Sequence, residues 1–387
     1  MQPRAANRPN RIVWDIFTGL AISSYNTKLV TDTANSTERP RLSVIIPARN
    51  EELNLPNCLR TLLLQSEDRF LLGRDWELLV VDDASTDRTR AIAVEAAAEH
   101  FGMRVLEAPA LDVTAEKLVF TGKNNACWFG ALKSAGEWLL FTDADTLHEP
   151  GDLVRALEEA ERSGAALLSY SPRQIVTGFW QRALMPLVFS ELAVVYPSAQ
   201  VNDAGNRLAA ANGQFLMISR EAYFAVGGHE AVGASVLEDV ELADRVKSSH
   251  RVIRFRYAPD ALSTHMYRGF RDMVEGWTKN LVLLFPHALA LAAWRLLDIA
   301  LLLLPLVLIP LHYLVFWQQI IILLVWIRTL FRFYGRVLRS NFAKLDCAIS
   351  VFALPLFIGL LVSSWMKHRV FHRVRWKGRD YSTYKSA

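Results

Sequence analysis

Between Arg41 and Thr146 the chain repeats one pattern: an apolar run of strand length, a polar or acidic stop, then a stretch with helical spacing. "RLSVIIPARNEE" (41–52) precedes "NLPNCLRTLLLQS" (54–66), whose Leu55, Leu59, Leu62 and Leu63 share a helical face. "WELLVVDDASTD" (76–87) precedes the Ala-rich helix "RTRAIAVEAAAEHFG" (88–102), closed by Gly102. "MRVLEAP" (103–109) is a third strand, "GKNNACWFGALKSA" (122–135) a helix, and "EWLLFTDADT" (137–146) a fourth strand. Continuous apolar strands alternating with helices predict an α/β fold, a mostly parallel sheet covered on both faces. Such sheets bind ligands at the carboxyl ends of their strands. Asn50–Glu51, Asp82–Asp83 and Asp143–Asp145 stand at those ends. Asp143 and Asp145, two residues apart, point the same way along a strand. Paired carboxylates repel unless a cation or a donor network holds them. The pair therefore reads as a metal-binding edge or, more blandly, as a polar loop start.

Further elements follow: a helix over 153–164, a strand over 166–172, a strand–helix pair over 213–228, an acid-opened helix over 236–250 and a strand over 252–259. Beyond Trp277 the character changes. Residues 281–327 are apolar with few interruptions, too long for one span of about 20 residues. The pattern predicts spans near 288–309, 311–330 and 345–366. With 52% hydrophobic residues, the whole chain is too apolar for a purely soluble enzyme. A net charge of +4 is too mild for nucleic-acid binding. Lys367, Arg369, Arg373, Arg375, Lys377 and Arg379 form a basic tail suited to an anionic, cytoplasmic membrane face. Three spans would put that tail and the first domain on opposite sides, so the topology stays open. Arg11–Ser23 reads as an interfacial helix, 24–40 as a linker, and Cys58, Cys127 and Cys347 as thiols of a reducing compartment. The expected organisation is an N-terminal segment and linker (1–40), a catalytic domain (41–280), membrane helices (281–366) and a basic tail (367–387).

"SVIIPARNEE", "VVDDASTD", "GKNNAC", "FTDADT", "LEDVELADRV" and "MYRGFRDMVEGWTK" occur in the order seen in inverting family 2 glycosyltransferases of the GT-A fold. The chain resembles them over about 41–280, and "WKGRDYS" (376–382) extends the resemblance beyond the spans. It looks most like the membrane-bound branch of carotenoid-acid (diaponeurosporenoate) glycosyltransferases and, more distantly, ceramide glucosyltransferases.

The resemblance implies roles residue by residue. Pro47, Ala48 and Glu51 meet the nucleotide of the donor; Asp83, with Asp82 beside it, meets uracil, unless both merely cap the following helix. Lys123 and Asn124 face phosphate or ribose, Lys123 reading equally as a surface lysine. Asp143 and Asp145 match the family's DxD, with Asp145 the likelier ligand of Mn²⁺ or Mg²⁺. Glu238–Asp239 matches the pair that supplies the catalytic base, Asp239 in that role. A carboxylate acceptor would hardly need a base at pH 7, so this pair favours a hydroxyl. The processive Q/RxxRW motif survives here only in Trp277, which argues for a single transfer; Arg268, Arg271 or Lys279 could serve the diphosphate instead. His265 could also touch phosphate, although a structural histidine is the more ordinary reading. Gly213 and Gln214, in "NGQF", fall on the acceptor side. The implied activity is transfer of one hexose from a nucleotide sugar, UDP-glucose by family habit, to a lipophilic acceptor at the cytoplasmic membrane, by a multi-pass protein whose catalytic domain faces the cytoplasm. The rival expectations are a polyprenyl-phosphate sugar transferase and a catalytically silent GT-A membrane protein.

Overall fold

The computed structural model describes residues 39–65, 69–111, 120–310, 314–371, 373–376 and 379–382. The N-terminal segment and most of its linker, and much of the basic tail, lie outside the described residues. The strands are β1 (Leu42–Ala48), β2 (Trp76–Asp82), β3 (Met103–Glu107), β4 (Trp138–Thr142), β5 (Thr146–His148), β6 (Leu167–Ser171), β7 (Arg173–Gln174), β8 (Phe215–Ser219), β9 (Ile253–Tyr257) and β10 (Leu262–Thr264), before a hairpin of Arg373–Trp376 with Arg379–Ser382.

Seven strands form one sheet in the order β3-β2-β1-β4-β8-β6-β9. All neighbouring pairs are parallel except those made by β8, which runs against both β4 and β6. The chain builds outward from β1 to β3, then returns to lay β4 on the other side of β1. That reversal opens a crevice past the carboxyl ends of β1 and β4, where open α/β sheets bind ligands. β5, β7 and β10 form a small second sheet beside it.

The pleat sorts β1 between two cores. Val44 and Ile46 pack with Leu55, Leu59 and Leu62 of the helix Leu55–Leu63, while Ile45 packs with Ala126 and Ala131 of the helix Gly122–Lys133. That second helix lies close: a Cβ on Gly130 would sit 2.6 Å from Ile45 Cγ2. The expected parallel core is thus present, covered on both faces, with a single antiparallel strand added.

A third core joins the helices Gly178–Val195, Phe270–Leu284, Ala288–Leu308, Phe316–Val337 and Leu354–Arg369. Among the described residues, three helical segments are long and apolar enough to cross a membrane: Gly178–Val201, Ala288–Leu308 and Lys344–Arg369. Two overlap the expected spans. The expected 311–330 span is not among the three; Arg328, Arg332 and Arg336 stand four residues apart along Phe316–Val337 and give that helix a polar stripe. Gly178–Val201 was not expected, because Gln181, Arg182, Pro186 and Glu191 interrupt its apolar pattern.

The stripe meets acids inside the third core. Asp298, 1% exposed, binds Arg295 at 2.7 Å and also pairs with Arg332. Arg336 lies 3.1 Å from Glu191 and 3.5 Å from Asp298. Cys58, Cys127 and Cys347 are buried free thiols.

Candidate active site

The ends of β1 and β2 are cross-tied. Asp83 N donates to Ala48 O (2.8 Å), and Arg49 Nη1 donates to Asp83 O (2.6 Å). Asn50 and Ala84 both turn left-handed there, at φ 54° and 52°. Asn tolerates this conformation, but Ala84 pays about 1 kcal/mol or more for it. Asn50 Oδ1 accepts from Thr86 N (2.8 Å), locking the two turns together. Asp87 accepts from Thr89 N at the start of the following helix (2.9 Å), so helix capping falls to Asp87 rather than to Asp83. Asp82 and Asp83 are 3% and 6% exposed, with Asp82 taking the amide of Ser85. Glu51 holds Asn54 Nδ2 (2.8 Å) and lies 3.8 Å from Arg268.

Past β4, Asp143 is joined to the acid-opened helix Glu238–Ser248 through a single ammonium. Lys123 Nζ sits 2.9 Å from Asp143 Oδ1 and 3.0 Å from Glu238 Oε1. Burial works against its charge, but Asp143 and Glu238 hold Lys123 well above the usual lysine range. Asp239 accepts from Gly213 N at Oδ2 (2.7 Å) and from Val240 N at Oδ1 (2.8 Å). Burial and neighbouring Glu238 push its carboxyl up to about 6, against the opposing pull of Lys123 and the two amides. A Cβ on Gly213 would lie 2.9 Å from Lys123 Nζ and 3.4 Å from Asp239 Oδ2, so a larger residue there would push the ammonium aside. Glu51 joins the same neighbourhood electrostatically. Burial, then the charges of Asp145, Asp143 and Glu51, raise the Cys58 thiol well above its ordinary range.

The structure therefore brings together Pro47, Ala48, Glu51, Asp82, Asp83, Lys123, Asp143, Asp145, Gly213, Glu238 and Asp239 along one sheet edge. Other expected residues stand elsewhere. Asn124 is fully buried, its amide directed at the carbonyls of Val232 (3.1 Å), Gly233 (2.8 Å) and Ser235 (3.0 Å). It ties down the loop leading to Glu238 rather than facing phosphate or ribose. Trp277, 2% exposed, packs between Tyr267 and Phe189 with Nε1 3.4 Å from Met185 Sδ, inside the third core. Arg271 is exposed, and Lys279 lies further along the same helix, its carbonyl 2.8 Å from His368 Nε2. His265 Nε2 stands 3.4 Å from Thr177 Oγ1. Gln214 is 4% exposed, its side chain donating to Thr264 Oγ1 (3.1 Å). Two further features were not expected: Arg49, inside "PARNEE", and the buried Thr142–His148–Asp152 set, whose sequence signal is a histidine three residues past Asp145.

Among the described residues no three His, Cys, Asp or Glu side chains form a ready-made cation cage. The donor set still suits a divalent ion of the kind held by one or two carboxylates plus substrate phosphate oxygens. The Lys123 ammonium between Asp143 and Glu238 is a stand-in positive charge, marking where this acidic edge calls for a cation.

Comparison with known proteins agrees with this geometry. The family model described as "Glycosyl transferase family 2" matches residues 43–224. The 4,4'-diaponeurosporenoate glycosyltransferase of Staphylococcus aureus strain N315 is 26% identical over 376 residues, 95% of each chain. That of strain MRSA252 is 26% identical over 353 residues, 89% of each chain. Among solved structures, the mannosyltransferase PcManGT from Pyrobaculum calidifontis, in complex with GDP-Man and Mn²⁺, matches with a TM-score of 0.51 at 18% identity, covering 87% of this chain and 88% of that one. At that identity the structural likeness speaks for the fold alone. The sheet order, the acidic strand ends and these matches converge: residues 43–224 match the family 2 glycosyltransferase model within a GT-A fold, and the protein carrying them is a glycosyltransferase.

Proposed function

We propose that this glycosyltransferase is membrane-associated and moves one hexose, from UDP-glucose, with inversion onto the hydroxyl of a lipophilic acceptor. One observation carries the reading: Lys123 bridges the donor-edge acid Asp143 and the acid pair Glu238–Asp239, so donor and acceptor chemistry meet at one point. Pro47, Ala48, Glu51, Asp82 and Asp83, at the carboxyl ends of β1 and β2, hold the nucleoside, and Arg268, 3.8 Å from Glu51, serves the diphosphate. Asp145, with Asp143, would hold a Mn²⁺ or Mg²⁺ ion, which when bound neutralises charge on the leaving diphosphate. The GDP-Man and Mn²⁺ of PcManGT support the donor class and the metal.

Asp239 is the base. The acceptor oxygen attacks the anomeric carbon while the bond to the diphosphate breaks and its electron pair leaves with the nucleotide; the hydroxyl proton passes to an Asp239 carboxylate oxygen. Gly213 N–H and Val240 N–H aim that carboxylate. With its carboxyl pushed up to about 6, Asp239 is ionised at neutral pH yet basic enough to take a proton. Transfer rate against pH is therefore expected to fall with a one-proton slope below about pH 6, as the carboxylate protonates. In Asp239→Asn any residual rate should lack that limb.

The lipophilic acceptor is supported by the name of the Staphylococcus aureus relatives and by the three apolar helical segments. An acceptor dissolved in the bilayer and a donor dissolved in the cytosol would meet at the cytoplasmic face, with the rest of residues 41–280 as the transferase module and Gly178–Val201 joining 281–366 in its anchor. The test is full-length protein in detergent with labelled UDP-glucose, Mn²⁺ and extracted membrane lipid. Label should enter the organic phase as an alkali-stable glycoside. An alkali-labile product would be a glycosyl ester and would remove the need for Asp239, and no labelled lipid at all would sink the acceptor class.

A further inference from the structure

A buried polar chain behind the acidic edge belongs to no step described so far. His148 and Asp152 have side chains with no exposure, and His148 Nδ1 is 2.8 Å from Asp152 Oδ2. On the other side of the ring, Nε2 lies 3.2 Å from Thr142 Oγ1. Thr142 Oγ1 in turn donates to the carbonyl of Gln214 (2.8 Å), which also lies 3.5 Å from Thr146 Oγ1. A threonine hydroxyl has one proton. Because that proton goes to Gln214, the bond to His148 must run the other way, with Nε2–H donating to Thr142. A second proton then lies between Nδ1 and Asp152, so the pair is neutral as a unit, either imidazolium with carboxylate or imidazole with carboxylic acid. Buried polar groups of this kind are expensive unless each partner is satisfied.

The chain's far end is the site itself. Thr142 immediately precedes Asp143, and Thr264 Oγ1, which accepts from the Gln214 side chain, lies 3.3 Å from the carbonyl of Asp145. Gly213, next to Gln214, gives its N–H to Asp239. Resting on the assignment of Asp143–Asp145 to the donor and Asp239 to the base, we propose that His148, held by Asp152, is a positioning residue that keeps the donor edge and the Gly213–Gln214 loop in register, and through Gly213 aims the base. His148 touches no substrate; it acts by fixing the direction of the Thr142 hydroxyl.

The test compares His148→Leu, which fills the space without an N–H, with Asp152→Asn, whose amide can still donate to Nδ1 and leave the proton on Nε2. Full-length protein in detergent is assayed with UDP-glucose, Mn²⁺ and membrane lipid extract. His148→Leu should lower kcat about 100-fold, the scale of a 1 Å misplacement at a reacting centre, with the donor KM within about threefold. It should also displace the acid limb of the pH profile, because the Gly213 bond to Asp239 loosens. Asp152→Asn should stay within about threefold of wild type. Amide hydrogen exchange, read with no substrate, should show lost protection at 142–146 and 213–214 in His148→Leu and kept protection in Asp152→Asn. Wild-type kcat in His148→Leu, or a loss explained by unfolded protein with an unmoved limb, overturns the inference. A wild type that labels no lipid sinks the acceptor assignment instead; unchanged exchange at those two segments in His148→Leu would still overturn the positioning role.

Discussion

Asp239→Asn should lower kcat roughly 1,000-fold, within the 10²–10⁴ that a positioned general base contributes. The substitution keeps the size of the side chain and an acceptor for one of the two amides, Gly213 N–H or Val240 N–H. Donor affinity should change little, since the proposed nucleoside site lies at the ends of β1 and β2. Stability supplies the control. A carboxyl pushed up to about 6, from an ordinary value near 3.8, is a group whose ionised form the fold disfavours. Above pH 6 its charge therefore opposes folding, and as pH falls through 6 that penalty is relieved. At pH 7.5 the Asn variant should melt no lower than wild type, so its lost activity is chemical. Normal transfer to a hydroxyl acceptor by this variant would rule out the assignment.

Removal of the divalent ion should cost nearly as much. An ion at the leaving diphosphate supplies several kcal/mol of charge stabilisation. At 1.36 kcal/mol per factor of ten, losing about 3–4 kcal/mol slows transfer some 100- to 1,000-fold. EDTA should produce that loss and added Mn²⁺ should reverse it. Asp145→Ala should match the EDTA-treated wild type and respond little to Mn²⁺ titration. Turnover that survives both treatments unchanged would refute the metal role. Asp143→Asn has a different consequence, because Asp143 also holds Lys123. Its loss would leave that ammonium to Glu238 and Asp239, so the acid limb of the pH profile should move down as well as kcat falling.

How much of this was readable beforehand depended on whether the signal was local. The strands that carry Asp83 and Asp143 announce themselves within a few residues, as an apolar run with an acidic stop. Because parallel sheets gather such ends at one edge, the convergence followed from the pattern alone. Asn124 and Trp277 were misplaced for the opposite reason. Nothing near Asn124 in sequence reveals that the carbonyls of Val232, Gly233 and Ser235 will surround its amide. Trp277 occupies a motif position, yet its ring faces Tyr267 and Phe189. The helix Gly178–Val195 escaped notice because its polar residues have partners distant in the chain. Gln181 donates to the carbonyl of Tyr267 (2.9 Å), and Arg182 binds Asp346 (2.6 Å). Periodicity detects a face that meets apolar neighbours and is blind to a polar group with a distant partner. Lys123, balanced in the sequence between ligand and surface residue, was decided only when Asp143 and Glu238 arrived on either side of it.

The arginine–carboxylate cluster in the third core bears on how the protein is made. Ala288–Leu308, entering a bilayer alone, would carry Arg295 and Asp298 into hydrocarbon, where each charged group costs a few kcal/mol or more. Their remaining partners are Glu191, about a hundred residues earlier, and Arg332 and Arg336, more than thirty residues later. This helix is thus a poor client for insertion one segment at a time, and a good one for insertion as a bundle. Before Phe316–Val337 arrives, Asp298 has Arg295 but neither Arg332 nor Arg336, so the later helix completes the neutralisation of the earlier one. If these helices cross a bilayer, the charges that stitch them together favour their entering it as a set rather than in turn.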